Sequence, residues 1–174
     1  MKKFLLLIMV LALVSACGTT VNIKPEGAVS DSDSAKKLPK LSFNSIAIEV
    51  RTEVEDCHEE VKMFEDFLAE NFKQKNVKVV APGSNAEAKM TIVIKHLEKV
   101  SKTSRWIWGS WAGSAELKAN VAIITRDNNS VNFSIDANAR ASSILSGDRY
   151  TDYGGSTDDL LERTSKKITE EILL

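Results

Sequence analysis

Two consecutive stretches of alternating apolar and polar residues constrain the fold of this chain more than any other feature. In residues 115–125, apolar side chains alternate with polar ones such as Glu116 and Lys118. The same alternation continues over residues 131–141, where alanines take up the later apolar positions. Successive side chains of a strand point to opposite faces, so the pattern predicts two strands with one dry face. The Asp-Asn-Asn run at 127–129 tolerates a left-handed backbone, which predicts an antiparallel hairpin.

The segment before the hairpin is predicted to form a strand, a helix and two more strands. Residues 45–50 favour a short strand, and apolar residues at three- and four-residue spacing predict an amphipathic helix over residues 56–75. Asp56 and Glu59 have the spacing of a capping box at its start. Further strands are predicted at 77–80 and 90–99, the first of them parallel to 45–50 through a right-handed crossover.

A second helix is predicted at the C-terminus, with Ser156 or Thr157 as its N-cap and two aspartates in its first turn. The hairpin has only one apolar face to cover, so two helices on one face of a sheet is the economical arrangement. The predicted fold class is therefore α/β (α+β), a two-layer sandwich with a mixed sheet of about five strands in the order β-α-β-β-β-β-α.

The N-terminal residues have the pattern of a bacterial export signal. Two lysines precede an apolar run over residues 4–14, which is shorter than the ~20 residues of a bilayer span. Small residues then precede Cys17, and this arrangement resembles the lipobox of bacterial lipoproteins. The resemblance implies a signal peptide at 1–16, cleavage before Cys17 and a diacylglycerol on its sulfur. The alternative is an ordinary signal peptide with an incidental cysteine.

The residue after the cysteine is Gly18 and not aspartate, which predicts the outer membrane if sorting follows the enterobacterial pattern. The expected location is the cell envelope, lipid-anchored, with the domain in the periplasm. Residues 17–40 are polar and contain two prolines, so they are predicted to be the lipidated N-terminus and a flexible tether. Residues 41–174 are predicted to form a single globular domain.

The charged and nucleophilic residues do not indicate a reaction. The formal net charge is −1 and basic residues are not clustered, so no nucleic-acid partner is expected. His58 is adjacent to Cys57, but neighbours on a helix point about 100° apart, which argues against a Cys-His pair or a metal site. Cys57 is expected to be a half-buried lone thiol, and His96 a half-exposed strand residue. No H-E-x-x-H, G-x-S-x-G, P-loop or paired-cysteine zinc pattern is found, and no catalytic residue, metal or cofactor is predicted.

All three tryptophans of the chain fall within residues 106–111, where Gly109 and Ser110 are small. In one interpretation, the rings pack over the sheet edge or against a helix end. In the other, they form an exposed aromatic patch for a protein partner or the bilayer interface. The candidate partner-binding residues are Arg105, Trp106, Trp108 and Trp111.

This segment also carries a family resemblance. A Ser-Arg pair at 104–105, glycines and small residues, and then two alternating strands joined by a turn resemble a family of small bacterial lipoproteins known only as a domain of unknown function. The resemblance covers most of residues 45–174, but the three tryptophans and the glycine-free turn at 127–129 depart from the pattern. More distantly, the element order is similar to envelope-assembly lipoproteins, including the lipopolysaccharide-assembly and curli-secretion lipoproteins, which implies a fold only.

These features together predict a bacterial lipoprotein anchored to the membrane through Cys17. Its periplasmic domain is expected to bind an unidentified envelope protein or to assist envelope assembly. An envelope hydrolase is one alternative, although no nucleophile is paired with a base within plausible reach. A small-molecule or lipid carrier is another, which needs a cavity under the helices, whereas the alanine-rich hairpin favours close packing.

Overall fold

The computed structural model describes residues 18–26, 37–101, 103–104, 113–140 and 155–173. The elements are, in chain order, β1 (Gly18–Pro25), β2 (Ser45–Thr52), α1 (His58–Gln74), β3 (Lys78–Val80), β4 (Ala88–Glu98), β5 (Ser114–Thr125), β6 (Ser130–Arg140) and α2 (Thr157–Ile172). One mixed sheet and two helices make up this part of the chain, so the predicted α+β class is confirmed.

The described strands form one sheet in the order β1-β6-β5-β4-β2-β3. β2 is parallel to both of its neighbours, β3 and β4, and the other pairs are antiparallel. The helix α1 joins β2 to β3, so the predicted parallel strand–helix–strand unit is present. β4 returns to the other side of β2, which leaves the three-residue β3 at the edge of the sheet.

The strand β1 lies where a flexible tether was predicted, so that prediction is wrong for residues 18–25. β1 pairs with β6 along its whole length, from Gly18 opposite Arg140 to Pro25 opposite Phe133. Val21 and Ile23 pack against the core from its inner face. Edge strands bury few residues and tolerate proline, so the composition of β1 resembles that of a linker.

The domain boundary at residue 41 also needs correction, because chain on its N-terminal side joins the core. Leu38 is 6% exposed. Next to the predicted boundary, Lys40 Nζ donates to the carbonyl oxygen of Glu170 over 2.5 Å. Together with β1, these contacts make part of residues 17–40 a component of the fold.

The two helices begin differently. α2 has the predicted N-cap, since Ser156 Oγ accepts a hydrogen bond from the Asp159 N–H over 3.3 Å. The capping box predicted for α1 is wrong, because Cys57 occupies the N-cap position and Asp56 lies before it with a left-handed φ of 54°.

No helix in the described ranges is long and apolar enough to cross a membrane.

The core lies between the helices and one face of the sheet. The apolar positions of the hairpin face it as predicted, and Leu117 and Ile123 are fully buried there. The helices contribute buried residues at helical spacing: Phe64, Leu68 and Phe72 from α1, and Leu160, Leu161, Ile168 and Ile172 from α2. Each large apolar side chain buried in this way stabilises the fold by about 1.5–3 kcal/mol. We call the opposite, mostly polar face of the sheet the outer face.

Several elements meet at one end of the sheet, which we call the Gly18 end. Gly18 pairs with Arg140, and Arg140 pairs with Ser114, so the start of β1, the end of β6 and the start of β5 form one row. The start of α2 closes the same end: the Thr157 N–H donates to the Val100 carbonyl over 2.9 Å, and the Val100 N–H donates to Thr157 Oγ1 over 2.8 Å.

Candidate functional site

The residues singled out from the sequence, namely Cys17, Arg105, Trp106, Trp108 and Trp111, lie outside the described residues. Their neighbours along the chain are described. Gly18, which follows Cys17, and Ser114, which comes shortly after Trp111, belong to the same row across the sheet. Adjacent strands lie about 4.8 Å apart, so the backbones of Gly18 and Ser114 are separated by roughly 10 Å.

The chain that leads into the tryptophan segment is also held at the Gly18 end. Val100 is tied to Thr157 by the two hydrogen bonds described above. Immediately afterwards, Ser101 Oγ accepts from the Ser104 N–H over 3.0 Å, and the two hydroxyls are 2.8 Å apart. The described chain on the two sides of the segment, at Val100 and at Ser114, therefore lies at the same end of the sheet.

A cluster of potential metal ligands lies on the outer face next to this end. The imidazole of His96 and the carboxylates of Glu98 and Glu116 each place one ligand atom within 4.8 Å of the others. His96 and Glu98 are exposed and Glu116 is half-buried. In the register of β4 and β5, Glu98 lies directly opposite Glu116.

A β-bulge places His96 in this cluster. The pairing of β4 with β5 shifts between Ile94 and His96. Every second residue of β4 is buried up to Ile94, whereas the next buried residue after it is Leu97. Without the extra residue, the alternation of side chains would turn His96 toward the helices. The bulge therefore puts both His96 and Glu98 on the outer face, where Glu116 lies.

The neighbours of the cluster fix the Glu116 carboxylate. Asn138 Nδ2 on β6 donates to Glu116 Oε1 over 2.8 Å, and Ser114 Oγ donates to the same oxygen over 3.4 Å. Sequence reasoning identified His96 only as a strand residue. The one sign of a metal site in the local sequence is that His96 and Glu98 are two residues apart. The contribution of Glu116 depends on the pairing of β4 with β5, which the sequence does not display.

The outer face also contains an open groove of about 420 Å³ between the middle of β4 and the end of β1. Val93 and Ala122 contribute apolar surface, and hydroxyl and amide side chains lie beside them. Its lining side chains on the outer face include Lys24, Thr91, Asn120, Asn132 and Ser134. Hydroxyl and amide groups on a partly apolar floor suit the binding of a ligand or partner.

Cys57 is not part of any reactive pair in the described structure. Its side chain is 1% exposed, and its Sγ donates to the Glu55 carbonyl over 3.3 Å. Burial raises the pKa of the thiol above its ordinary value of 9.0, although the nearby Lys99 ammonium acts in the opposite direction. His58, in contrast, is exposed. The thiol is therefore more deeply buried than predicted and remains protonated at neutral pH.

No protein family and no curated protein matches this chain. Among solved structures, the PelC dodecamer from Paraburkholderia phytofirmans is similar, with a TM-score of 0.54 and 12% identity over 88% of this chain and 97% of that one. A variant PelC dodecamer from the same organism gives a TM-score of 0.50 and 13% identity over 88% of this chain and 98% of the other. At these identities the likeness to PelC shows a shared fold.

A PDZ domain protein from Parabacteroides distasonis is less similar, with a TM-score of 0.40 and 10% identity over 88% of this chain and 36% of that one. This likeness carries no functional argument.

Proposed function

We propose that this chain is a bacterial lipoprotein anchored through Cys17 to the outer membrane, and that its periplasmic domain binds an envelope partner. The observation that carries the proposal is the start of β1 at Gly18, the residue that follows Cys17. The lipid-bearing residue of the lipobox would then be attached directly to a hydrogen-bonded strand.

The attachment has a consequence for how the domain sits on the membrane. Consecutive Cα atoms are 3.8 Å apart, so acyl chains on Cys17 would hold the Gly18 end close to the bilayer surface. A long tether would instead have let the domain move freely at a distance. The pairing of Gly18 with Arg140 supports the close arrangement.

The partner contact, in this proposal, involves Arg105, Trp106, Trp108 and Trp111. The chain on both sides of these residues is fixed at the Gly18 end, by Val100 before them and Ser114 after them. Tryptophan has a large apolar ring and one N–H donor, which suits both the membrane interface and the centre of protein interfaces. We therefore infer that the partner is met at the membrane surface.

The partner in this proposal is either a second copy of this chain or another envelope protein. The PelC structures that share the fold are dodecamers. Chemical crosslinking in intact membranes distinguishes the two cases, because self-association gives multiples of the chain mass and another envelope protein gives a product of different mass. The groove on the outer face, with its hydroxyl and amide groups, offers a further surface for binding.

The anchor is tested by metabolic labelling with a palmitate analogue. We expect Cys17→Ser to lose the label and the acyl-dependent attachment to the membrane, since each buried CH₂ of an acyl chain contributes about 0.8 kcal/mol to that attachment. Cys57→Ser is the matched control and should keep both properties. Label retained by Cys17→Ser, or absent from the wild type, would contradict the lipoprotein assignment.

The partner contact is tested with single alanine variants of the three tryptophans, measured by crosslinking yield and by thermal unfolding. A tryptophan at the centre of an interface contributes about 2 kcal/mol or more to binding and little to the stability of the free protein. Ile124→Ala is the control, because Ile124 is 52% exposed on the outer face. If every tryptophan variant loses several degrees in Tm while acrylamide fails to quench the wild-type fluorescence, the rings belong to the core and not to an interface.

A further inference from the structure

We propose that His96, Glu98 and Glu116 form a binding site for a divalent transition-metal ion, with Zn²⁺ as its probe. All three residues lie on the outer face, on the paired strands β4 and β5. The proposal is independent of the lipid anchor and of the tryptophan segment, since each ligand belongs to the described sheet.

The donor set has the chemistry of a zinc site. One imidazole nitrogen and two carboxylate oxygens are ordinary Zn²⁺ ligands, at about 2.0–2.2 Å from the ion. In a tetrahedral site such ligand atoms lie roughly 3.4 Å from one another. The three ligand atoms here lie within 4.8 Å of one another. His96 and Glu98 are exposed, so rotation of their side chains can bring the ligand atoms closer together. Three protein ligands leave a fourth position for water or an exchangeable ligand.

Two features of the backbone bring this set together. The bulge between Ile94 and His96 moves both the His96 imidazole and the Glu98 carboxylate onto the face that carries Glu116. The register then places Glu98 opposite Glu116, although like charges in a directly opposed cross-strand pair destabilise a sheet. A bound dication removes this repulsion, and the imidazole adds a neutral ligand that an acidic cluster alone does not have.

The surrounding side chains support the same interpretation. Asn138 Nδ2, 2.8 Å from Glu116 Oε1, orients the carboxylate in the way that outer-shell partners orient metal ligands. Lys118 lies opposite His96 in the register, and Asp136 lies opposite Lys118, so this lysine has a carboxylate facing it on β6. The carboxylate available to Lys118 is therefore that of Asp136. The carboxylates of Glu98 and Glu116 are arranged around His96.

The test is calorimetric titration of ZnCl₂ into the full-length protein, solubilised in detergent and freed of metal with a chelator. We expect one Zn²⁺ per chain, and a loss of affinity of at least about 100-fold in His96→Ala and in Glu116→Gln. Asn138→Ala should weaken binding by about 10–100-fold, since it removes an outer-shell hydrogen bond. His58 and Glu162 are exposed and lie outside the cluster. The variants His58→Ala and Glu162→Gln should therefore bind Zn²⁺ as the wild type does.

Co²⁺ provides a second readout, because its visible absorption reports ligand type and geometry. We expect Co²⁺ bands that disappear in His96→Ala and that excess Zn²⁺ removes. The absence of stoichiometric Zn²⁺ binding by the wild type would overturn the proposal. So would full binding by His96→Ala, loss of binding in His58→Ala, or displacement of Zn²⁺ by equimolar Mg²⁺, which prefers all-oxygen octahedral sites.

Discussion

Gly18 at the start of β1 lies opposite Arg140 at the end of β6. The described sheet therefore begins one residue after Cys17, the residue proposed to carry the lipid. This arrangement makes the N-terminal chain a structural element with measurable effects on stability.

The first prediction concerns the inner face of β1. Ile23→Ala should lower the free energy of unfolding by about 1–2 kcal/mol, because Ile23 is partly buried against the core. Asn22→Ala, at the neighbouring exposed position, should change it by less than about 0.5 kcal/mol. Urea unfolding of the full-length protein measures both. Equal, negligible effects would mean that residues 18–25 act as a tether after all.

The second prediction compares two adjacent residues of α2. Ser165 Oγ accepts from Asn71 Nδ2 over 2.8 Å and donates to the Glu162 carbonyl over 2.7 Å, so it links the two helices. Ser165→Ala should cost about 1 kcal/mol of stability. The Thr164 hydroxyl is fully buried and has no hydrogen-bond partner among the described residues.

Thr164→Val should therefore be neutral or raise the stability by up to about 1 kcal/mol, since it replaces an unsatisfied hydroxyl with a methyl group of similar size. Thermal unfolding gives the sign of each change. A loss of stability in Thr164→Val comparable to that of Ser165→Ala would show that the Thr164 hydroxyl has a partner.

The third prediction concerns the buried thiol. Cys57 should resist thiol reagents at neutral pH in the folded protein and react once urea unfolds it, because it is 1% exposed. Burial raises its pKa above 9.0, so the folded state holds the neutral thiol more strongly than the unfolded state does. The stability from this difference is complete below pH 9.0 and is lost as the pH rises above that value.

Cys57→Ala isolates this contribution. The difference in unfolding free energy between wild type and variant should decrease as the pH rises above 9.0, where other groups titrate equally in both proteins. A difference that stays constant across that range would show that the thiol titrates alike in the folded and unfolded chain.

The fourth prediction concerns the repulsion between Glu98 and Glu116. Without metal, Glu98→Gln should raise the stability by about 0.2–1 kcal/mol, since it removes a like-charge cross-strand pair. Zn²⁺ at 100 times its dissociation constant should stabilise the wild type by about 2.7 kcal/mol and the variant by much less. Thermal unfolding with and without Zn²⁺ measures both effects, and Glu170→Gln on α2 serves as the control.

The sequence by itself determined the elements whose periodicity is local. The hairpin follows from alternation with period two, and its buried positions, such as Leu117 and Ile123, are those predicted. The stripe of α1, with Phe64, Leu68 and Phe72 buried, follows from helical spacing. These patterns are readable because the side chains that define them lie within a few residues of one another.

Only the tertiary structure decided which distant residues meet. β1 is a strand because β6 offers it a partner more than a hundred residues away, from Arg140 to Phe133, and an isolated edge strand has no stability of its own. The cluster of His96, Glu98 and Glu116 depends on a one-residue bulge and on the register of two strands. Pairing energies between strands are set by partners far apart in the chain, so no local pattern contains them.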